Sequence, residues 1–386
     1  MNATNLERDP GIAGGPAELL RRANAALRAR DPRGACERLR EALALAGDRP
    51  ELLATFGHLQ LSLGEIAIAE DAARRSIAIA PNHDDTLKLL GRLWLAGQRA
   101  DGGLERLPGN EYAKYAMPLE YPPSRRLAPR WGYAMPPHPG LTSLFHRSRD
   151  EYRDRIAELR TLAPLLREIR TDYSVDTAAE PGWIGPPVNA IDLALLYYFV
   201  WKFRPKTYLE IGSGSTTSFA RRAVSDHRIP TRIISIDPKP RSGIDGICDA
   251  VIRDGLETLD DLRIFADLQP GDIVFLDGSH RCFMNSDVTV FFLDVLPLLK
   301  PGVIVHIHDI SLPFDYPEMF TNWYWNEQYV LAAYLLGMGE RIRILMPSQY
   351  VSETPGLKEC LHPPILPGVG NPDLWLSGGS FWFTHA

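Results

Sequence analysis

The chain has 386 residues, of which 45% are hydrophobic, so it is long enough for two domains with substantial cores. Its formal net charge is −6 and no long basic stretch stands out, which argues against nucleic acid as a substrate or partner. The four cysteines are scattered, without the close pairs of a metal site or a disulfide framework, and this favours a reducing cytoplasm.

The opening sequence MNATNLERDPGIAGG lacks the basic-then-apolar pattern of a signal peptide. The most apolar stretch, residues 190–200, is shorter than the roughly 20 apolar residues that a membrane span needs. We therefore expect a cytoplasmic protein without a membrane span, and a buried helix over this stretch.

Residues 16–100 are rich in Ala, Leu and Arg and lack β-branched runs, which predicts paired helices. Five helices are expected, over residues 16–30, 33–46, 50–63, 65–80 and 84–96. The second pair resembles a tetratricopeptide repeat, because Gly57 and Ala69 are small where the helices must approach closely and Pro81 closes the unit. This region is either an arm that binds a partner or a second copy, or a helical extension packed on the next domain.

Residues 101–180 have a different character. Prolines and aromatic residues, among them Trp131 and Tyr133, crowd the stretch up to Pro139, which excludes regular helix over most of it and argues against a disordered linker. We expect an ordered connector that packs on the following domain, either as a lid or only as packing. An amphipathic helix is predicted over residues 150–170.

The last domain, residues 181–386, is built around one glycine turn. An apolar helix over residues 190–202 precedes a β-prone run at 207–211, a turn with Gly212 and Gly214, and a helical stretch at 218–224. Glycines let the backbone approach a ligand closely, and the amides at the start of the helix favour polar or anionic groups. This pattern predicts a nucleotide-like cofactor.

The residues of this turn distinguish two cofactor families. A dinucleotide fingerprint needs a third glycine where this chain has Thr217. The acidic residue before the glycine pair, in Glu210-Ile-Gly212-Ser-Gly214, instead resembles the first motif of class I S-adenosylmethionine-dependent methyltransferases. The resemblance implies that Glu210 lies near the methionine end of the cofactor. It also implies that the helix over residues 190–202, ahead of the glycine strand, shields the cofactor.

Strands alternating with helices predict an α/β fold with a doubly wound, Rossmann-like parallel sheet that binds its ligand at the carboxyl ends of the strands. Further strands are expected at residues 233–236, 250–253, 272–276 and 303–307. After a helix over 326–338, residues 341–346 and 380–384 resemble the sixth strand and the antiparallel last strand of the methyltransferase fold.

The second strand ends at Asp237, whose carboxylate can accept hydrogen bonds from both ribose hydroxyls. In the resembling families, a polar residue at the position of Asp254 contacts the adenine. We therefore assign S-adenosylmethionine binding to Glu210, Gly212, Ser213, Gly214, Ser215, Asp237, Asp254 and Asp277.

Four ionisable residues follow the ends of the fourth and fifth strands, namely Asp277, His280, His308 and Asp309. A histidine with a pKa near neutrality can take the proton of a substrate hydroxyl during methyl transfer, which makes His280 or His308 the candidate base, beside Asp309. Alternatively, Asp277 and Asp309, with or without a histidine, hold a divalent cation such as Mg²⁺ that lowers the pKa of the hydroxyl. His306, within the strand, is predicted to be a core histidine.

The same residues resemble those of small-molecule O-methyltransferases of the catechol and macrolide-sugar type. Those enzymes place metal-binding carboxylates at positions that match Asp277 and Asp309. The chain departs from them at His308, because the catechol-type enzymes have an acidic residue beside an amide there. The aromatic residues between 311 and 328 either line a pocket for a sugar or ring, or pack against the connector. Glu327 is either a first-turn helix residue or a pocket residue.

These observations predict S-adenosylmethionine-dependent methyl transfer to a hydroxyl of a small molecule or glycan. Two alternatives stay open. One is an iron-dependent hydroxylase on the same fold, and the other is a non-catalytic scaffold in which the helical repeats are the working surface.

Overall fold

The computed structural model describes residues 16–28, 31–81, 83–101, 128–173, 179–185, 188–240, 243–317, 320 and 323–385. They form two compact units, with the division between residues 125 and 126. Residues 102–127, which include most of the predicted connector, lie outside the described residues.

Helices make up the described part of the first unit. They are α1 (Pro16–Arg28), α2 (Pro32–Ala46), α3 (Pro50–Ser62), α4 (Ile66–Ile79) and α5 (Asp84–Asp101). Helix α1 packs with α2 and α3 with α4, as expected for two hairpins, and α5 packs on both α3 and α4. Prolines begin α2 and α3, where a missing N–H costs no hydrogen bond.

Gly57 lies where α3 approaches α4 and α5. A Cβ there would be 3.3 Å from the Cβ of Ala72, 3.4 Å from the carbonyl oxygen of Ala69 and 2.3 Å from the side chain of Leu89. The close approach predicted at Gly57 is therefore present. The assignment of this region to tetratricopeptide repeats stays a prediction.

The second unit contains a seven-stranded sheet among its described residues. Its strands are β3 (Thr207–Ile211), β4 (Arg232–Ile236), β5 (Ala250–Ile252), β6 (Ile273–Leu276), β7 (Ile304–Ile307), β8 (Ile342–Pro347) and β9 (Phe381–His385). They lie in the order β5-β4-β3-β6-β7-β9-β8, and β9 is antiparallel to both of its neighbours while the other pairs are parallel. This confirms the predicted fold class, including the antiparallel last strand and the helical region before the sheet. A separate parallel pair, β1 (Arg170–Asp172) and β2 (Gly182–Ile184), was not predicted.

Helices of the second unit precede the sheet and connect its strands. They are α6 (Pro139–His146), α7 (Arg149–Thr161), α8 (Ala163–Leu166), α9 (Ala190–Phe203), α10 (Ser215–Asp226), α11 (Arg263–Ala266), α12 (Asp287–Val290), α13 (Glu327–Met338), α14 (Ser348–Glu353) and α15 (Asp373–Leu376). The prediction of one helix over residues 150–170 was wrong, because α7 ends before Pro164, which cannot donate a hydrogen bond to the preceding turn. Among the described helices, none is long and apolar enough to cross a membrane.

The central strands are buried along their whole length, as expected for a parallel sheet covered on both faces. His306 belongs to this core. Its ring stacks on Phe275 with centroids 3.7 Å apart, and its Nε2 lies 3.0 Å from the Oγ of Ser380. Burial lowers the pKa of His306 well below its ordinary value, so the ring is neutral, as a core histidine should be.

The described end of the connector packs on the segment that follows β7. Asp315 accepts a hydrogen bond from the N–H of Trp131 at 3.0 Å and returns one from its own N–H to the carbonyl of Trp131 at 3.0 Å. The hydroxyl of Tyr329 donates to the same carboxylate at 3.0 Å, and the N–H of His138 donates to the carbonyl of Pro313 at 2.9 Å. This part of the connector is thus an ordered part of the second unit.

Candidate active site

The carboxyl ends of β3 and β6 meet at Gly212. Its φ is +79°, and a Cβ there would lie 1.8 Å from the carbonyl oxygen of Asp277. Two backbone hydrogen bonds extend the strand pairing to this edge of the sheet. The N–H of Gly212 donates to the carbonyl of Ile236 on β4 at 3.0 Å, and the N–H of Asp277 donates to the carbonyl of Ile211 on β3 at 2.9 Å. Only glycine combines this backbone conformation with this approach.

Glu210, near the end of β3, stabilises the turn through side-chain hydrogen bonds. Its fully buried carboxylate accepts hydrogen bonds from the hydroxyls of Thr216 and Thr217 in the first turn of α10, and the Thr217 hydroxyl accepts one from the N–H of Gly214 at 3.1 Å. Burial raises the pKa of Glu210 to about 8, and the charge of Asp277 adds to the rise while the two hydroxyls oppose it. In this structure, the carboxylate therefore shapes the turn through protein contacts.

Asp237 stands beside the turn, just after β4. One carboxylate oxygen accepts a hydrogen bond from the N–H of Ser213 at 2.8 Å, and the other accepts one from the N–H of Lys239 at 2.7 Å. Each oxygen keeps a second lone pair for a further donor. Ser215 begins α10 and is buried, whereas Asp254 is exposed beyond the end of β5.

His280 lies among three carboxylates. Its Nδ1 is 3.0 Å from Glu327, and its Nε2 is 3.5 Å from Asp277 and 3.4 Å from Asp309. Only 8% of the His280 side chain is exposed. Burial by itself would lower the pKa of His280, but the hydrogen bond to Glu327 and the three negative charges outweigh it, so the pKa is raised above its ordinary value.

The backbone holds His280 in this place. Its carbonyl accepts hydrogen bonds from the N–H groups of Asn326 at 3.0 Å and Glu327 at 3.3 Å, which join the turn after β6 to the start of α13. The imidazole lies against Trp325, with ring centroids 4.1 Å apart. Both His280 and Asp309 have positive φ angles, 61° and 55°, a conformation that non-glycine residues rarely adopt outside functional sites and tight turns.

His308 lies deeper, between two carboxylates. Its Nδ1 is 3.3 Å from Asp309 and its Nε2 is 3.8 Å from Asp192, but neither nitrogen is aligned for a hydrogen bond with a described residue. Asp192, in the first turn of α9, accepts hydrogen bonds from the N–H groups of Gly379 at 2.7 Å and Ser380 at 3.1 Å. Burial opposes protonation of His308, but the neighbouring carboxylates raise its pKa.

The structure thus brings together all four residues that were predicted to follow strand ends. One ligand atom each from Asp277, His308 and Asp309 lie within 4.8 Å of one another, a spacing that can hold a metal ion. The sequence analysis did not include Asp192 in the site, and it left open whether Glu327 is a first-turn helix residue or a pocket residue. The sequence feature that could have pointed to Asp192 is its position as an acidic residue within the most apolar stretch of the chain.

Aromatic residues form a wall beside His280. Phe320 stacks on Trp325 with centroids 4.3 Å apart, and Trp323 lies 5.1 Å from Trp325. The guanidinium of Arg281 donates a hydrogen bond to the carbonyl of Trp323 at 2.9 Å, which ties this segment to the turn that carries His280.

A surface cleft of about 310 Å³ lies elsewhere, lined by residues that include Arg170, Arg221 and Arg222. Each of these guanidinium groups is paired with a carboxylate, and the residues that line the cleft do not include Asp277, His280, His308 or Asp309. The convergence of ionisable groups therefore identifies the candidate site better than the size of this cleft does.

Comparison with known proteins finds a family match over the region of the chain that carries the candidate site. A family described as a methyltransferase domain matches residues 209–310, from within β3 to the residue after Asp309. The match supports a class I S-adenosylmethionine-dependent methyltransferase. A search of curated proteins found no match.

Solved structures show weaker similarity. A Podospora anserina methyltransferase bound to SAH is 12% identical, with 66% of this chain and all of that chain covered at a TM-score of 0.33. A Thermobifida fusca protein assigned as a methyltransferase is 15% identical, with coverage of 52% and 83% and a TM-score of 0.31. A mutant O-GlcNAc transferase from Thermobaculum terrenum is 16% identical, with coverage of 70% and 47% and a TM-score of 0.22. Similarity at this level carries no information about substrates.

Proposed function

We propose that the second unit transfers the methyl group of S-adenosylmethionine to a hydroxyl oxygen of a small molecule or sugar. The observation that carries the proposal is the position of His280 Nε2, 3.5 Å from Asp277 and 3.4 Å from Asp309 at the same sheet edge as the glycine turn. A base held among carboxylates at this edge suits removal of a hydroxyl proton.

The residues at the turn fit the cofactor. A Cβ on Gly214 would meet no protein atom within 4 Å, so protein packing does not require glycine there, whereas close approach of a ligand would. Asp237 is assigned to the ribose hydroxyls and Asp254 to the adenine, and Ser213 and Ser215 belong to the glycine turn after the neighbouring strand β3. When bound, the cofactor supplies an electrophilic methyl group on a sulfonium.

His280 is the proposed base. Its Nδ1 faces Glu327, so an N–H on Nδ1 donates to that carboxylate and leaves Nε2 free to accept a proton from the acceptor hydroxyl. The charges of Asp277 and Asp309 then stabilise the imidazolium that forms. Glu327 thus fixes the tautomer and the ring orientation, and His308 with Asp309 completes the polar cluster.

A divalent cation is the second part of the proposal. Asp277 and Asp309 are the carboxylates that would hold it, in keeping with the spacing of their oxygen atoms. A cation such as Mg²⁺ held there would lower the pKa of the acceptor hydroxyl. The stacked rings of Phe320 and Trp325 are the proposed surface for the acceptor ring.

Calorimetric titration with S-adenosylmethionine and S-adenosylhomocysteine, before and after chelator treatment, tests the cofactor. We expect both to bind without added metal. Absence of binding by either compound under any condition would remove the methyltransferase proposal.

A transfer assay with labelled cofactor and a panel of catechol and hexose acceptors tests the base. His280→Gln should retain cofactor affinity and lose at least about 100-fold in turnover, the usual range for a general base. His227→Gln is the matched control, since His227 contacts Tyr197 at the end of α10, away from the cluster. Equal turnover of the two variants would contradict the assignment of His280.

An iron-dependent hydroxylase is the second candidate, because Asp277, His308 and Asp309 form a mixed nitrogen and oxygen ligand set. Tightly bound iron with substrate-dependent oxygen consumption, and no methyl transfer, would favour it over the proposed function.

A further inference from the structure

The imidazole of His308 is buried beside the carboxylates of Asp192 and Asp309, yet neither of its nitrogens is aligned for a hydrogen bond with a described residue. Its side chain is 5% exposed. Buried polar groups are nearly always satisfied, because an unmet donor or acceptor costs about 1–3 kcal/mol. A ligand on one nitrogen would remove that cost.

The surroundings of the ring point to a cation as that ligand. Nδ1 faces Asp309, and one His308 nitrogen lies within 4.8 Å of ligand oxygens of both Asp277 and Asp309. The Asp277 and Asp309 side chains remain 29% and 27% exposed. An ion held by the three residues would therefore keep coordination positions open, as a catalytic metal requires.

Asp192 lies on the opposite side of the ring. Its Oδ2 is 3.8 Å from Nε2 of His308, and its carboxylate is fixed by the N–H groups of Gly379 and Ser380. A carboxylate behind a histidine is the usual arrangement around a metal-ligating imidazole, where it orients the ring and selects the nitrogen that binds.

The ligand set also bears on the choice of metal. Mg²⁺ is bound through oxygen ligands and keeps several waters, whereas an imidazole suits first-row transition ions and carboxylates suit Mn²⁺ as well as Mg²⁺. One imidazole with two carboxylates therefore favours an ion such as Mn²⁺.

We infer that His308 is a third metal ligand beside Asp277 and Asp309, that Asp192 is its positioning residue, and that the site prefers Mn²⁺ to Mg²⁺. This inference rests on the cation of the proposed function, but metal binding can be measured without methyl transfer. Its outcome is therefore separate from that of the cofactor titration.

The test uses the full chain after chelator treatment, titrated calorimetrically with MnCl₂ or MgCl₂ in the absence of cofactor. We expect Mn²⁺ to bind at least about tenfold more tightly than Mg²⁺. His308→Asn should weaken Mn²⁺ binding at least about tenfold and change Mg²⁺ binding much less, because the amide keeps an oxygen ligand. Asp192→Asn should weaken Mn²⁺ binding by about 10-fold or more, and His227→Asn, which lies outside the cluster, should change neither affinity.

Pulsed electron paramagnetic resonance of Mn²⁺ bound to the wild-type protein gives a readout that does not depend on a variant folding. We expect coupling to an imidazole nitrogen. That coupling should vanish in His308→Asn and persist in His227→Asn. Equal affinities for the two metals, a missing nitrogen coupling, or no metal binding in a protein that binds S-adenosylmethionine would each overturn the inference. The last result would also remove the cation from the proposed function, but none of the three would contradict the proposed cofactor and base.

Discussion

Gly212→Ala tests the central packing claim about the glycine turn. The substitution adds one methyl group at the edge where β3 and β6 meet. Carbon and oxygen atoms in contact lie about 3.3 Å apart, whereas the new Cβ would be 1.8 Å from the carbonyl oxygen of Asp277. The two strand ends must therefore move apart by about 1.5 Å to restore an ordinary contact.

The cost follows from this movement and from the backbone conformation. Separation weakens the hydrogen bond from the N–H of Asp277 to the carbonyl of Ile211, which joins the two strand ends, at about 1 kcal/mol. Holding an alanine at a φ of +79° costs about 1–2 kcal/mol more. We expect a loss of about 2–3 kcal/mol in the free energy of unfolding of the second unit.

Urea unfolding followed by tryptophan fluorescence measures this loss, since Trp183, Trp375 and Trp382 of the second unit are almost fully buried. The midpoint should fall with the slope unchanged. Gly214→Ala is the control, because its φ is −179° and a Cβ meets no protein atom. It should cost less than about 1 kcal/mol in stability but lower the affinity for S-adenosylmethionine. A midpoint for Gly212→Ala equal to that of the wild type would refute the reasoning about close approach.

Three further predictions concern carboxylates of the site. Asp237→Asn should raise the Kd for S-adenosylmethionine about 10–100-fold, since a charge-assisted hydrogen bond is lost; an unchanged calorimetric Kd would contradict the ribose assignment. Burial raises the pKa of Glu210 from 4.5 to about 8, so the native state keeps a proton that the unfolded chain releases, and stability declines as pH rises between these values. Glu210→Gln should abolish this decline, which is at most about 1.4 kcal/mol per pH unit, and urea midpoints that fall equally with pH in both proteins would disprove it. Glu327 raises the pKa of His280, and the base must be neutral to act, so Glu327→Gln should shift the acidic limb of the kcat profile to lower pH while kcat falls. A limb that stays in place would show that Glu327 does not govern the base.

The sequence by itself determined the chain order of the seven strands of the large sheet and the edge of that sheet at which the ionisable residues gather. Strand runs ended by Gly212, Asp237, Asp277 and Asp309 are local features, and parallel strands bring their carboxyl ends to one edge whatever the detailed packing. The seven strands are accordingly found within one or two residues of their expected bounds. The hydrophobic periodicity was not sufficient to predict where α7 ends. The apolar residues keep their helical spacing past Pro164, but the helix itself stops before that proline.

Only the tertiary structure decided which side chains meet. Glu327 reaches His280 because α13 begins against the turn after β6, and Asp192 faces His308 because α9 packs at the start of β9. Both carboxylates occupy first turns of helices, where acidic residues are favoured by the helix dipole whether or not they have a partner. Their pairing with histidines depends on packing between segments distant in sequence, and no local pattern in one chain records that packing.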